Sequence, residues 1–180
     1  LKTIESGIIR FVGSISAALA GVKIGAAPIL AAASFERELA NVAKTTDFTA
    51  SAIRNGTGEL EKLGAALLDI SLRVDVTATD LAKIAAAAGQ QGLGRFGVAG
   101  VVAFTDSVAR MSSVLDVTAE QAANDVGKIV NIFRIPLSDI ERAISTFNEV
   151  SNKSTASGQE LLDVVKRIGD AAGSLKLGDP

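Results

Sequence analysis

The chain has 180 residues, 48% of them hydrophobic but only 4% aromatic, with 18 basic and 20 acidic side chains and a net charge of −2. It has neither cysteine nor histidine, which removes disulfides, Cys-based metal sites and the commonest catalytic bases, nucleophiles and transition-metal ligands. The charges are scattered, with no basic stripe to neutralise phosphates, so no specific nucleic acid is expected as a partner.

Strand signals are poor. No stretch alternates strictly, and Asn55-Gly56 lies between helical patterns rather than alternating ones. The expectation is an all-α fold: several amphipathic helices joined by short Gly/Ser/Thr turns, preceded by an apolar helical arm, with helical hairpins packing in an oligomer. The chain begins at Leu1 and ends on Gly178-Asp179-Pro180, and we read it as a piece of a longer or processed protein.

Residues 1–33 make the arm, the most apolar stretch. A secretory signal fits poorly, because the apolar run continues well past Ala18 and Ala20. Lys23 and Pro28 divide it into Phe11–Val22 and Ile24–Ala33, too short for a span of about 18 or more uninterrupted apolar residues. Gly21 and Gly25 have the GxxxG spacing that lets helix backbones approach closely. A buried or oligomer-facing helix is favoured over a membrane span.

From Ser34, Phe35, Leu39, Val42 and Ala43 share one helical face that ends near Lys44–Thr46. This helix either starts at Ser34 or continues from Pro28. Asp47–Gly58 reads as a polar connection that can hold a turn over Thr49–Arg54. Leu60, Leu63, Leu67, Ile70 and Val74 then predict a helix over 59–74.

The stretch Asp75–Gly94 carries its own start and stop signals. Thr77 with Asp80 forms a capping box, Leu81, Ile84, Ala85 and Ala88 follow at helical spacing, and Gly89 and Gly92 are read as the end. Phe96–Leu115 is apolar over much of its surface, which predicts a helix central to the domain or seated in a subunit interface. Thr118 with Gln121, Ser138 with Glu141 and Ser157 with Glu160 repeat the capping box, opening helices to Phe133, to Val150 and to Ala172. Pro136 breaks the first of these.

The starts Asp47-Phe-Thr-Ala, Asp75-Val-Thr-Ala, Asp116-Val-Thr-Ala and Lys153-Ser-Thr-Ala resemble one another, the last three about forty residues apart. Little else in the units aligns, so a shared helix start is preferred to a helical-repeat array.

Three features invite chemistry. The glycine cluster at 89–94 has no preceding strand and no closing Lys-Ser/Thr, so both common phosphate-loop patterns fail. It reads as a helix end, with Gly94, Gly97 and Gly100 thinning one helix side. The carboxylates Glu36/Glu38, Glu59/Glu61, Asp139/Glu141 and Glu160/Asp163 lie mostly in first turns, where they complement the helix dipole. Asn148, Asn152 and Ser154 form a polar cluster at a helix end, suited to bonding loop backbone. No catalytic, cofactor-binding or metal-binding residue is assigned, no cofactor is called for, and no enzymatic activity is expected.

Phe35-Glu36 opening an amphipathic helix, Leu81-Ala-x-Ile-Ala-Ala-x-Ala-Gly-Gln-x-Gly92, and Ala109-Arg-Met111 before Leu115-Asp-Val-Thr-Ala-Glu120 form an ordered set. It continues with Lys128-Ile-Val-Asn131, Phe147-Asn148-x-x-Ser151-Asn152-x-Ser154-x-Ala156 and Arg167-Ile-Gly-x-Ala-Ala-Gly-x-Leu175. In order and spacing, over about 35–177, this set resembles the core region of phage tail tape measure proteins. The glycine-rich connection 55–58 and the short length depart from that pattern.

The resemblance implies that residues 34–180 are a fragment of a tape measure core, made in the host cytoplasm and housed in the virion, in the tail tube lumen or at the tail tip. It implies a structural role in setting tube length and supporting tail assembly, with a part in DNA delivery. The implied partners are further copies of the chain (a trimer favoured over a hexamer), tail tube and tail tip or baseplate proteins, tail assembly chaperones, and a host membrane through residues 7–33. The competing expectation is a membrane-active helical module of pore-former or holin type.

Overall fold

The computed structural model describes residues 26–46, 58–115 and 117–174. They form seven α-helices: α1 (Ala26–Thr45), α2 (Glu59–Ser71), α3 (Ala78–Gln90), α4 (Gly97–Leu115), α5 (Ala119–Ile132), α6 (Leu137–Lys153) and α7 (Gly158–Ser174). One 3-10 turn, Leu93–Phe96, leads into α4. No strand occurs among the described residues, and the fold is all-α. The GxxxG pair Gly21/Gly25 and the turn expected over 49–54 lie outside the described residues.

Local signals explain most boundaries. α1 runs through positions 33 and 34 without a break, carrying Pro28 in its first turn, where the missing N–H leaves no helical bond unmade. The Thr77 hydroxyl caps α3 by accepting the Asp80 N–H at 3.1 Å and donates to the Asp80 carboxylate at 2.8 Å. Thr118 accepts from the Gln121 N–H at 3.2 Å. Ser157 and Glu160 close a reciprocal box: Glu160 N donates to Ser157 Oγ at 3.2 Å, and Ser157 N to Glu160 Oε2 at 2.7 Å.

Four sequence expectations are corrected. The box at Ser138/Glu141 does not form: α6 starts at Leu137 with Pro136 in the cap position, so Ser138 is already inside the first turn. α2 stops at Ser71, short of Val74, where the Leu72 and Arg73 amides bond only three residues back, to the Asp69 and Ile70 carbonyls, and tighten the last turn. Gly89 does not end α3. It is buried within the helix, and Gly92 makes the exit in the left-handed conformation at φ 73°, its N–H on the Gly89 carbonyl. Gly97 does not thin α4 for packing, since a Cβ there would meet nothing within 4 Å; its φ of 71° serves the turn into the helix.

The helices stack in two layers. α3 packs on α1 and on α5, and α5 on α7. Contact points run in the same order along each pair. Lys83 feels the Glu38 charge while Gly89 meets Thr45 and Thr46. Lys83 also feels Glu120, while Gln91 meets Gly127. Lys166 binds Asp125, while Gly169 meets Ile132. The odd helices therefore lie parallel, side by side. α2, α4 and α6 form the second layer, with α4 touching both of the others. This is the geometry of a helical-hairpin array. The recurrence of about forty residues, attributed above to a shared helix start, is the period of the stack.

α3 is its most enclosed member. Every residue from Leu81 to Gly89 except Lys83 is buried, four of them alanines in succession (Ala85–Ala88). Alanine is what a helix covered by neighbours on several sides can carry without forcing them apart. α4 is central as expected, burying Val101, Phe104, Val108 and Met111 against α3, α2, α5 and α6.

A Cβ on Gly89 would sit 2.5 Å from Thr45 Oγ1 and 2.9 Å from the Thr45 carbonyl carbon. Gly89→Ala is expected to push α1 off α3 and lower stability by about 1–3 kcal/mol in urea unfolding. The Thr105 hydroxyl is fully buried on α4 with no hydrogen-bond partner. Thr105→Val keeps the shape and the β-branch, and should raise stability by about 1 kcal/mol in the same assay.

Candidate docking groove

The two layers separate at the α7 end of the stack. α5 ends in a Schellman turn: the Ile135 N–H bonds the Val130 carbonyl at 3.0 Å, and the Arg134 N–H bonds the Asn131 carbonyl at 3.3 Å. Arg134 takes the left-handed position at φ 50°, which a residue with a Cβ adopts only at a cost. The turn throws α6 outward, so that it packs mainly on α4 and only lightly on α7.

What remains is an apolar groove of about 690 Å³. Val126, Ile129 and Val130 of α5 line its base, Ile144 and Phe147 of α6 one side, and Leu161 and Val165 of α7 the other. Asp139 and Arg142 pair with each other at its edge. Phe133 and Val150 line it while 44% and 50% exposed, and on α7 Val164 and Ile168 are 51% and 57% exposed. Phe133 and Val150, this open within one apolar groove, mark a surface that takes a partner. Phe133, Val150 and Ile168 fall at the helical spacing of buried positions, so the sequence gives no sign of the groove.

α7 is tied to α5 by two contacts. Gly169 lets the helices approach, since a Cβ there would lie 2.6 Å from Ile132 Cγ2. The Lys166 ammonium donates to Asp125 at 2.9 Å and to Asp163 at 3.3 Å. The hydrogen bond with Asp125 raises the Lys166 pKa above the ordinary lysine value, outweighing the opposing effect of burial.

The residues that invited chemistry in the sequence are dispersed in the fold. Glycines 89, 92 and 94 belong to the end of α3 and the 3-10 turn. Asp139 pairs with Arg142 and Asp163 with Lys166, each within a single helix. Glu160 caps α7, and the hydrogen bonds from Ser157 hold its carboxyl below the usual range. Ser154 Oγ accepts the Ala156 N–H at 3.0 Å, so this member of the polar cluster serves the α6–α7 turn. Among the described residues no group of acidic side chains converges as a metal site, and no helix is long and apolar enough to cross a membrane.

Comparison with known proteins supplies the class to which this all-α module belongs. Residues 64–178, well over half the chain, match the family described as phage-related minor tail protein, and the chain belongs to that family. It is a structural protein of a phage or phage-like tail, placed in the virion tail and associating with other tail components. No curated protein and no solved structure matches it.

Asp125→Ala leaves Lys166 without its buried acceptor and is expected to remove about 1.5–3 kcal/mol, the range for a hydrogen bond to a charged group. Hydrogen exchange should place the loss in 158–174. Because the folded Lys166 pKa lies above the unfolded one, its contribution is fully present below the ordinary lysine value and is lost only as pH rises through the folded value. Wild-type α7 should therefore show no Lys166-dependent loosening between neutral and mildly alkaline pH.

Proposed function

We propose that this chain is a section of a tail tape measure protein, acting as a docking and assembly segment within the tube lumen or tail tip. The observation that carries this reading is the family match over 64–178, the interval that holds all the ordered motifs resembling tape measure chains except Phe35-Glu36. Copies pack on one another, as a trimer in preference to a hexamer, and on tube, tip or baseplate proteins, with tail chaperones acting during assembly. The section carries no catalytic step: the sequence has neither histidine nor cysteine, and the described carboxylates that pair do so within helices, at caps or with Lys166.

Geometry supports docking over measuring. A continuous helix advances about 1.5 Å per residue, so forty residues of rod would span about 60 Å. A two-layer stack advances by one helix spacing per hairpin, about 8–10 Å for the same forty residues. This section is therefore a poor ruler and a good platform. The membrane-active alternative rests on residues outside those described, and no observation favours it.

The test uses the longer chain of which this section is part. Deleting rod-like flanking segments should shorten tails in proportion under the electron microscope, while deleting 75–174 should abolish assembly. Tails of unchanged length after every deletion would sink the reading.

A further inference from the structure

We propose that the groove between α5, α6 and α7 is filled by the apolar segment 8–22 of a second copy of this chain. Ile8, Val12, Ile15, Leu19 and Val22 are spaced alternately by four and three residues, which on a helix makes one continuous apolar seam. Apart from Ile9, Arg10 and Phe11, the side chains between them are Gly, Ala and Ser, so that, wound as a helix, the segment would have one strong face and from Gly13 onward a slim back, suited to lying in a groove. Charge agrees in sign. Residues 1–25 carry three basic side chains and one acidic, and 137–174 carry six acidic and four basic.

Reach decides between copies. With the whole seam seated, Val22 lies in the groove and only three residues separate it from α1, which begins at Ala26. Fully extended, that link spans at most about 14 Å. The groove lies on the far side of α5, two helix spacings or roughly 16–20 Å from α1. It also sits level with the C-terminal end of α1, whose 20 residues add about 30 Å along the axis. A chain cannot fill its own groove; the segment reaches a neighbour's. The copies then exchange arms, and the groove of one is closed by the apolar segment of the other. This goes beyond the tail reading and stands apart from it: it concerns how copies join, and the deletion assay can fail without touching it.

The absence of native cysteine makes the test clean. Full-length Ile15→Cys and Val150→Cys chains are mixed and mildly oxidised. The covalent mixed dimer should exceed the dimer from either variant alone at least tenfold. Leu19→Glu on the segment and Val150→Glu at the half-exposed groove edge should each weaken self-association at least tenfold by sedimentation, with helicity by circular dichroism unchanged. The proposal is overturned if the chain carrying both cysteines cross-links only within itself, or if both glutamate variants associate like wild type. It is also overturned if no mixed dimer forms while the segment binds phosphatidylcholine/phosphatidylglycerol vesicles in a Leu19-dependent way.

Discussion

The structure depends on how closely successive parallel helices approach. Gly89 brings α3 against the Thr45 backbone, Gly127 brings α5 against Gln91, and Gly169 brings α7 against Ile132. These glycines recur at roughly the same forty-residue interval as the helix starts, so each odd helix meets its predecessor through a position without a side chain. The chain has few aromatics with which to fill wide gaps. It holds together by bringing alanine and valine surfaces into short-range contact, where dispersion is strong and a single methylene is felt.

A second property follows. In a stack a hairpin is enclosed where others cover it on both sides. α3, between α1 and α5, is buried almost all round. Among the described side chains, α6 and α7 each bury one large apolar group fully, Ile140 and Leu162, while Val150, Val164 and Ile168 stay half open. Their strong amphipathicity therefore looks outward as much as inward. The Arg134 turn widens this end further by directing α6 away from α5.

Much of the fold is legible in the residues themselves. At three of the four expected boxes the Ser or Thr hydroxyl caps its helix by accepting the N–H three residues on, and at Ser157/Glu160 the reciprocal bond closes as well. The fourth fails at Ser138 because Pro136, with its fixed φ, already supplies the helix start two residues earlier. Gly89 misleads for a related reason. A glycine near a helix end signals termination only if its φ must be positive; here the demand is steric and comes from α1, more than forty positions earlier in the chain. Tertiary approach has no local signature, and this also hides the stack and the groove. The recurring starts are visible in the sequence, but the recurring glycines acquire meaning only once the helices are known to be parallel.

The weak end of the stack is also where association would occur. Regions with little buried apolar surface open most readily, and α7 is held chiefly by Leu162, the Gly169 approach and the Lys166–Asp125 contact. A partner helix seated in the groove would cover Phe133 and Val150, supplying the burial that α6 and α7 lack and stabilising the assembled form over the free one. Folding of this end and association then become one event. For a structural protein of a tail, that coupling would have a use: α6 and α7 would be fully held only once a partner is seated, so that free copies would not present a finished surface to the wrong neighbour.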